Sequence, residues 1–449
     1  MNFIILNGSP KGKDSVTLQT CLYLEKLYPA HRFAVLHAGV RPDFPVKHPE
    51  EFARQTAAAD CLIFCYPVYT FLIPCQLMRF MENMKASGVD LRGKYATQIT
   101  TSKHFYDMTA HRFVREFAQD MGMRFVEGLS ADMEDLLTEG GRHEARQFFD
   151  YLLFSLKYGL SEPASPAPDP AHRPVTVPDV SGAKDPSKRV AVVADLGPED
   201  EQLRRMIERF RAVFPYETDL VNLREFHFSG GCLGCFRCAA EGVCVYKDGF
   251  SDLLRERIQT ADAIVTAFTI RDRGMGSLLK TYDDRQFVNG HRTVTMGKPA
   301  AAIVSGNYPA SENLRTVLES RAETGGNFWC GAACDECDPD REITSAAMRL
   351  AYTLRYNHTR PANFWGVGGM KIFRDLIWQM QGMMRADHKF YKEHGQYDFP
   401  QKKPLRMLAM YAVGAMNSSP AIRKKLGGKM TEGMLMPYRR VVEKAGKKK

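Results

Sequence analysis

The chain predicts an α/β protein of two doubly wound parallel-sheet domains in tandem, followed by a helical, basic C-terminal extension. Three observations predict it. Short apolar runs alternate with amphipathic segments in both halves, the pattern of strand-helix units in a parallel sheet covered on both faces. Residues 161–188 hold seven prolines among Ser, Ala and Asp, a composition that builds no core and favours an extended linker. The halves also match each other: Ala58-Ala59-Asp60-Cys61-Leu62-Ile63-Phe64-Cys65 parallels Thr260-Ala261-Asp262-Ala263-Ile264-Val265-Thr266-Ala267, each the end of a helix turning into a buried strand.

Taken in order, Phe3-Ile4-Ile5-Leu6 reads as a first strand and not as a signal peptide, because the run is short and lacks a basic leader and a cleavage site. A glycine- and serine-rich loop follows, then a helix through Leu18 and Leu22. Leu77-Met78-Arg79-Phe80 and Leu278-Leu279-Lys280-Thr281 fall on corresponding helices of the two halves. The second half opens on a strand, Val190 to Ala194. Beyond about residue 358 the repeat ends and the pattern turns helical and Met-rich, including Phe373 to Trp378. The boundaries expected are a first domain over 1–160, a linker over 161–188, a second domain over 189–357 and the extension over 358–449.

Composition narrows the function classes. With 44% hydrophobic residues and no run of about eighteen apolar residues, a globular and not a membrane-spanning protein is expected. Eleven cysteines are too few for a disulfide scaffold in a chain of 449 residues, so a reducing, cytoplasmic setting is expected. The net charge of +9 is concentrated: residues 402–449 carry thirteen Lys or Arg against Glu432 and Glu443, leaving about −2 for the remainder. Basicity therefore belongs to the tail, and no nucleic-acid partner is expected.

The loop Asn7-Gly8-Ser9-Pro10-Lys11-Gly12-Lys13-Asp14-Ser15-Val16-Thr17 joins the first strand to the first helix. Gly8 and Gly12 allow tight turns, Ser9, Ser15 and Thr17 offer hydroxyls, and N–H groups at the helix start favour a phosphate, with Lys11 or Lys13 adding charge. A plain strand-to-helix turn capped by Asp14 or Ser15 remains the alternative. At the end of the third strand, Tyr66-Pro67-Val68-Tyr69-Thr70-Phe71 lies where ligand crevices form in such sheets, and Tyr69 or Phe71 can pack on a planar ring. The next strand ends in Thr100-Thr101-Ser102, a source of donors for ring oxygens.

On these residues the first half resembles a flavodoxin-like domain of the NAD(P)H-dependent FMN reductase family. The resemblance implies FMN, with Ser9, Lys11, Ser15, Val16 and Thr17 around its phosphate and Pro67, Val68, Tyr69 and Thr101 around its ring.

The second half contains Gly231-Cys232-Leu233-Gly234-Cys235-Phe236-Arg237-Cys238-Ala239-Ala240-Glu241-Gly242-Val243-Cys244. Four cysteines spaced C-x2-C-x2-C-x5-C suit a [4Fe-4S] cubane better than zinc, which usually takes two separated pairs. Zinc and redox-active free thiols stay open. Arg237 and the glycines would supply positive charge and amides near the sulfurs. With Asp248 and Leu279-Lys280-Thr281-Tyr282-Asp283-Asp284-Arg285, this array resembles the iron-sulfur flavoprotein family, close kin of the FMN reductases. It departs from that family in its first loop, Asp195-Leu196-Gly197-Pro198-Glu199-Asp200-Glu201, where acids at a helix start repel phosphate, and in Thr269-Ile270-Arg271, which replace the Pro-Val-Tyr loop. The second half is therefore expected to bind no flavin of its own, and a pairing of the halves would bring its cysteines to the flavin of the first.

Other conspicuous residues take plainer readings. Cys61 and Cys65 share one strand face and read as core. Cys330, Cys334 and Cys337 lack an obvious fourth ligand and read as ordinary structural cysteines. His104 reads as a solvated loop residue, and Met370, Met380, Met383 and Met384 as helix packing. The tail, including Arg423-Lys424-Lys425 and Lys447 to Lys449, suits anionic lipid, an acidic partner or plain solvation.

The expected function is an FMN-dependent oxidoreductase, NAD(P)H- or ferredoxin-linked, in which FMN exchanges electrons with a cluster. Its partner would be a quinone or other small acceptor, or a small electron-carrier protein, and a homo-oligomer stays open. The rivals are an NAD(P)H-dependent FMN or quinone reductase without a cluster, and a non-catalytic redox sensor. No acid-base catalyst is assigned.

Overall fold

A computed structural model describes residues 1–165, 169, 171–180, 182–418, 421, 435–436, 438–439 and 441–443. The basic clusters 423–425 and 447–449 lie outside the described residues. Residues Met1–Phe390 form one compact unit and Tyr391–Lys449 a second.

In the first half, β1 (Asn2–Asn7) leads to α1 (Val16–Leu27), β2 (Arg32–Leu36), α2 (Phe44–Lys47), α3 (Pro49–Ala57), β3 (Cys61–Pro67), α4 (Cys75–Ala86), β4 (Tyr95–Ser102), α5 (Asp107–Asp120), β5 (Arg124–Phe125), β6 (Leu129–Asp132) and α6 (Glu139–Tyr158). The strands form a parallel sheet in the order β2-β1-β3-β4-β5, with β6 on the carboxyl-end half of β4. That order is flavodoxin-like, with its switch point between β1 and β3. β3 is buried along nearly its whole length, which explains its unbroken apolar run and places Cys61 and Cys65 in the core, as expected.

The second half repeats the plan with β7 (Asp185–Ala194), α7 (Glu201–Val213), β8 (Tyr216–Asn222), α8 (Arg237–Glu241), α9 (Phe250–Asp252), β9 (Ala263–Thr269), α10 (Ser277–Arg285), β10 (Pro299–Ser305), α11 (Glu312–Thr324), β11 (Phe328–Cys334) and α12 (Pro339–Tyr356). Its parallel sheet runs β8-β7-β9-β10-β11, the same order. The chain therefore carries two flavodoxin-like α/β sheets in tandem.

The halves share a core. The helices after each third strand, α4 and α10, pack together, so Leu77, Met78 and Met81 belong to one apolar cluster with Met275, Leu279 and Tyr282. Around that seam, Glu82 accepts from the Ser277 N–H at 2.7 Å, and Asn313 donates to the Thr109 carbonyl at 2.9 Å.

Two segments differ from the sequence expectation. The proline-rich stretch is extended, yet part of it is strapped to the second half, just after β11 and at the start of α12: the Arg173 N–H donates to the Asp335 carbonyl at 2.7 Å, the Thr176 N–H to the Asp340 carboxylate at 2.9 Å, and Val175 is buried. β7 also begins five residues before Val190, pairing Asp185 with Tyr216 before a register shift ahead of Arg189. After α12 come α13 (Phe364–Gln379), α14 (Arg385–Glu393) and α15 (Pro404–Ser418). Helix α13, started by the Asn363 side chain accepting from the Trp365 and Gly366 N–H groups, packs on α11. Gly369 permits that approach, since a Cβ there would come within 2.6 Å of Thr324.

Candidate functional site

The carboxyl ends of the first sheet and the cysteine loop of the second half meet in one cavity of about 480 Å³. All nine residues expected at the flavin, Ser9, Lys11, Ser15, Val16, Thr17, Pro67, Val68, Tyr69 and Thr101, line it, and so do Cys232, Cys235, Cys238 and Cys244.

The first loop is built for close backbone approach. Asn7 at the end of β1 holds it, donating to the Gly12 carbonyl at 2.7 Å and accepting from the Ser9 N–H at 3.2 Å. Gly12 adopts φ +57°, the left-handed region that glycine occupies without strain. Ser15 caps α1 by accepting from the Leu18 N–H at 3.3 Å, while the first-turn N–H groups of Val16 and Thr17 have no acceptor inside the helix. Thr17 and Thr101 join through their hydroxyls at 2.6 Å, tying the helix start to the end of β4. Buried hydroxyls, helix N–H groups and Lys11 together are the donor set a phosphate requires, so the loop fits FMN.

The second wall follows from strand register. Pro67 is paired with Thr101, and the Val68 N–H donates to the Thr101 carbonyl at 3.1 Å. Tyr69 and Leu72 then close a tight turn with reciprocal backbone hydrogen bonds of 2.8 and 3.0 Å, putting Thr70 at φ +48° and Phe71 at φ +70°. Such backbone is costly for residues with a Cβ and persists only where neighbours fix it. The neighbours are in the other half: Lys280 Nζ donates to the Tyr69 carbonyl at 2.8 Å, and the Cys75 N–H donates to Asp284 at 2.8 Å. Lys280 and Asp284 pair with each other, both wholly buried. Burial pushes the Asp284 carboxyl up, against the pull of Lys280.

The cysteine loop is stapled from several sides. Arg285 donates to the Gly230 carbonyl at 2.8 Å and pairs with Asp248 through two bonds of 2.9 and 2.8 Å, with Tyr246 stacked 4.4 Å from its guanidinium. Burial pushes the Asp248 carboxyl up, but Arg285 together with the N–H groups of Ser229 and Phe250 outweighs it and holds the group at about 2. Gln76 donates to the Cys232 carbonyl at 3.1 Å, and Arg292, paired with Asp387, donates to the Cys238 carbonyl at 3.2 Å. A Cβ on Gly231 would overlap the Cys75 sulfur and one on Gly234 the Tyr69 hydroxyl, so the loop lies directly on the first half's ring loop. Burial raises the Cys232 thiol to about 12 and the Cys238 thiol to about 11.

All eleven cysteines are free. Four thiols match an iron-sulfur cluster in kind and number, and the Gly234 N–H points to the Cys232 sulfur at 3.5 Å. Among the described residues, no three Cys, His, Asp or Glu side chains are gathered closely enough to hold a metal ion.

The corresponding corner of the second half is filled by its own charges. Arg224 pairs with buried Asp195 at 2.7 Å, and Asp200 accepts from Thr269 at 2.8 Å and from Arg271 at 3.2 Å. The turn Arg271 to Gly274 mirrors Tyr69 to Leu72 in its hydrogen bonds and its two positive φ values, at Asp272 and Arg273.

Three contributors had no site role assigned from the sequence. Phe373, Ile372 and Leu376 of α13 line the cavity, with Phe373 against Phe105 and His291. Lys280 and Asp284 carry the ring loop, and Asp387 backs the cysteine loop. Gly366 and Gly369 let α13 pack closely, since a Cβ at either would meet Glu323 or Thr324. His104 stands half exposed beside Asp107 and does not line the cavity.

A family described as NADPH-dependent FMN reductase matches residues 1–131. The iron-sulfur flavoprotein of Archaeoglobus fulgidus is 34% identical over 173 residues, covering 36% of this chain and 78% of that protein. Among solved structures, an NAD(P)H:quinone oxidoreductase from Methanothermobacter marburgensis is 17% identical with a TM-score of 0.31, covering 39% of this chain and 99% of the other. General stress protein 14 of Treponema denticola, in complex with FMN, is 15% identical with a TM-score of 0.28, covering 34% and 98%.

Proposed function

The chain belongs to the flavoprotein family of NAD(P)H-dependent FMN reductases and iron-sulfur flavoproteins, and on that premise we propose that it is an oxidoreductase whose first half holds FMN beside a [4Fe-4S] cluster on Cys232, Cys235, Cys238 and Cys244. The observation that carries this reading is the single cavity shared by the phosphate loop, the ring loop and all four cysteines. FMN supplies conversion between two-electron hydride chemistry and single-electron transfer, and a cluster supplies one-electron transfer.

The residues divide the work. Ser9, Ser15, Thr17 and the first turn of α1 would bind the phosphate, with Lys11 offsetting its charge. Pro67, Val68, Tyr69 and Thr101 would orient the ring, and Lys280 fixes Tyr69 by its carbonyl. Phe105, Phe373 and Leu376 present apolar surface that excludes water from the ring and from a planar acceptor such as a quinone. The second half supplies the cysteines and binds no flavin, because Arg224 and Arg271 already occupy its acidic corner. NAD(P)H is the donor class this family suggests.

Paired substitutions test the two-site reading. Ser9→Ala with Thr17→Ala is expected to strip FMN and leave iron unchanged, while Cys235→Ser strips iron and leaves FMN. If iron and FMN fall together in both variants, the two sites are not separate. Wild-type protein with FMN and no iron would leave an NAD(P)H-dependent FMN or quinone reductase.

A further inference from the structure

The cavity at the flavin-cysteine site does not end there. It continues into the second half, between one face of the second sheet and the helices α10 and α11. Strand β9 is the middle strand of that sheet, where a filled core buries both faces. Its Ala263, Val265 and Ala267 are wholly buried on one face, yet Ile264 and Thr266 on the other are only half-buried and line the cavity. The first half shows what fills this layer. Aligned through the shared motif, Phe64 stands where the second half has Thr266, and strand pairing sets Gln98 where it has Ala302. Phe64 and Gln98 are both buried, with Gln98 accepting from the Tyr66 hydroxyl at 2.6 Å. Thr and Ala in place of Phe and Gln leave a chamber in the second half.

We infer that this chamber holds an apolar chain of the electron acceptor, so that the substrate class is a quinone bearing an alkyl or isoprenoid tail. The inference rests on the proposed function, since the head of such a molecule must meet the flavin. Continuity with the ring site carries it first. Phe287 stands 6.2 Å from the Tyr69 ring and 6.2 Å from His291, and His291 stands 5.0 Å from Phe373, so a line of rings leads from the ring loop towards the chamber. The chemistry of the walls carries it second. Leu279, Val317, Leu318 and Trp329 face the same space as Ile264 and Ala300, and an apolar cavity favours an apolar occupant over water. Arg321 on that wall is paired with Asp283 at 2.8 Å. Its charge is thereby spent within the protein, which sets the chamber against the phosphates and ribose of NAD(P)H.

The test titrates the full FMN-loaded chain with one benzoquinone head carrying either a decyl chain or none. Each methylene removed from water is worth about fourfold in binding, so a chain with even two methylenes seated should bind about tenfold tighter than the bare head. Thr266→Phe, which restores the first half's side chain, and separately Ala300→Leu, which adds bulk on the neighbouring strand, should each remove most of that advantage. Affinity for the bare head, the flavin spectrum and Tm should stay unchanged. Bromodecanol, a chain without a quinone head, should quench Trp329 emission, and Trp329→Phe should abolish that quenching although Trp365 and Trp378 remain. Absence of decyl-quinone binding, equal affinity for the two quinones, an advantage unmoved by both variants, or no quenching of Trp329 overturns the inference. The flavin spectrum before any quinone is added tests the proposed function separately. Protein that keeps FMN and shows no chain-length effect loses the chamber alone, whereas protein without FMN loses the proposed function and the inference with it.

Discussion

Lys280→Met removes the cation from the most buried charge pair at the seam between the two halves. In the native protein Lys280 and Asp284 are both wholly buried, Lys280 also holds the Tyr69 carbonyl at 2.8 Å, and Asp283 stands 3.7 Å from the same ammonium. Taking one partner from a buried pair leaves the other charge uncompensated, at about 3–5 kcal/mol. That is a large part of a total stability of about 5–15 kcal/mol. The double variant Lys280→Met with Asp284→Asn removes both charges and keeps an acceptor for the Cys75 N–H, so it is expected to recover about 1–3 kcal/mol. The sign with pH follows from burial. Asp284 already has its carboxyl raised, and losing Lys280 raises it further, so the folded variant takes up a proton more readily than the unfolded chain and its deficit shrinks as pH falls. Urea unfolding followed by circular dichroism, with flavin fluorescence to report FMN retention, reads both effects. A loss below about 1 kcal/mol, the range of an exposed pair, or a double variant worse than the single one, would refute the reasoning.

Gly234→Ala places a Cβ on the Tyr69 hydroxyl at a backbone φ of +61°, so it should cost about 1–3 kcal/mol and weaken FMN retention as well as iron content; unchanged FMN affinity by fluorescence titration would contradict the contact between the two loops. Asp248→Asn tests the Arg285 staple through pH. Because the Asp248 carboxyl sits at about 2 against an ordinary 3.8, the pair stabilises the fold above about pH 4 and loses its contribution as pH falls towards 2. The gap between wild type and variant in urea midpoints should therefore be constant from pH 5 to 7 and close in acid, and a gap that widens in acid would be the wrong sign. Gly369→Leu drives α13 off Thr324 and with it Phe373 and Leu376 from the cavity wall. It should raise solvent quenching of bound flavin fluorescence, and unchanged quenching would remove α13 from the site.

The sheets were legible because parallel strands buried on both faces read as unbroken apolar runs, and the shared motif at Ala58 and Thr260 marks equivalent junctions. The expected flavin residues lie together because strand register sets them: once Pro67 is paired with Thr101, the ring loop and the end of β4 are neighbours. What stayed hidden is what crosses long sequence separations. Lys280, 211 positions from Tyr69, reads locally as an ordinary charged helix residue, and nothing near it predicts burial. Asp387 likewise meets Arg292 from 95 positions away. The proline-rich stretch reads as linker because composition reports the absence of a core, not the hydrogen bonds that the Arg173 and Thr176 N–H groups find at Asp335 and Asp340 of the second half. In α13 the apolar pattern gives a helix, but only its packing on α11 shows that Phe373 faces a cavity.

Purifying the full chain without oxygen and quantifying FMN, iron and sulfide beside its ultraviolet-visible spectrum tests the central claim most directly. One FMN with about four irons and four sulfides per chain is the predicted result. FMN without iron would contradict the cluster, and neither cofactor would contradict the shared flavin-cysteine site itself.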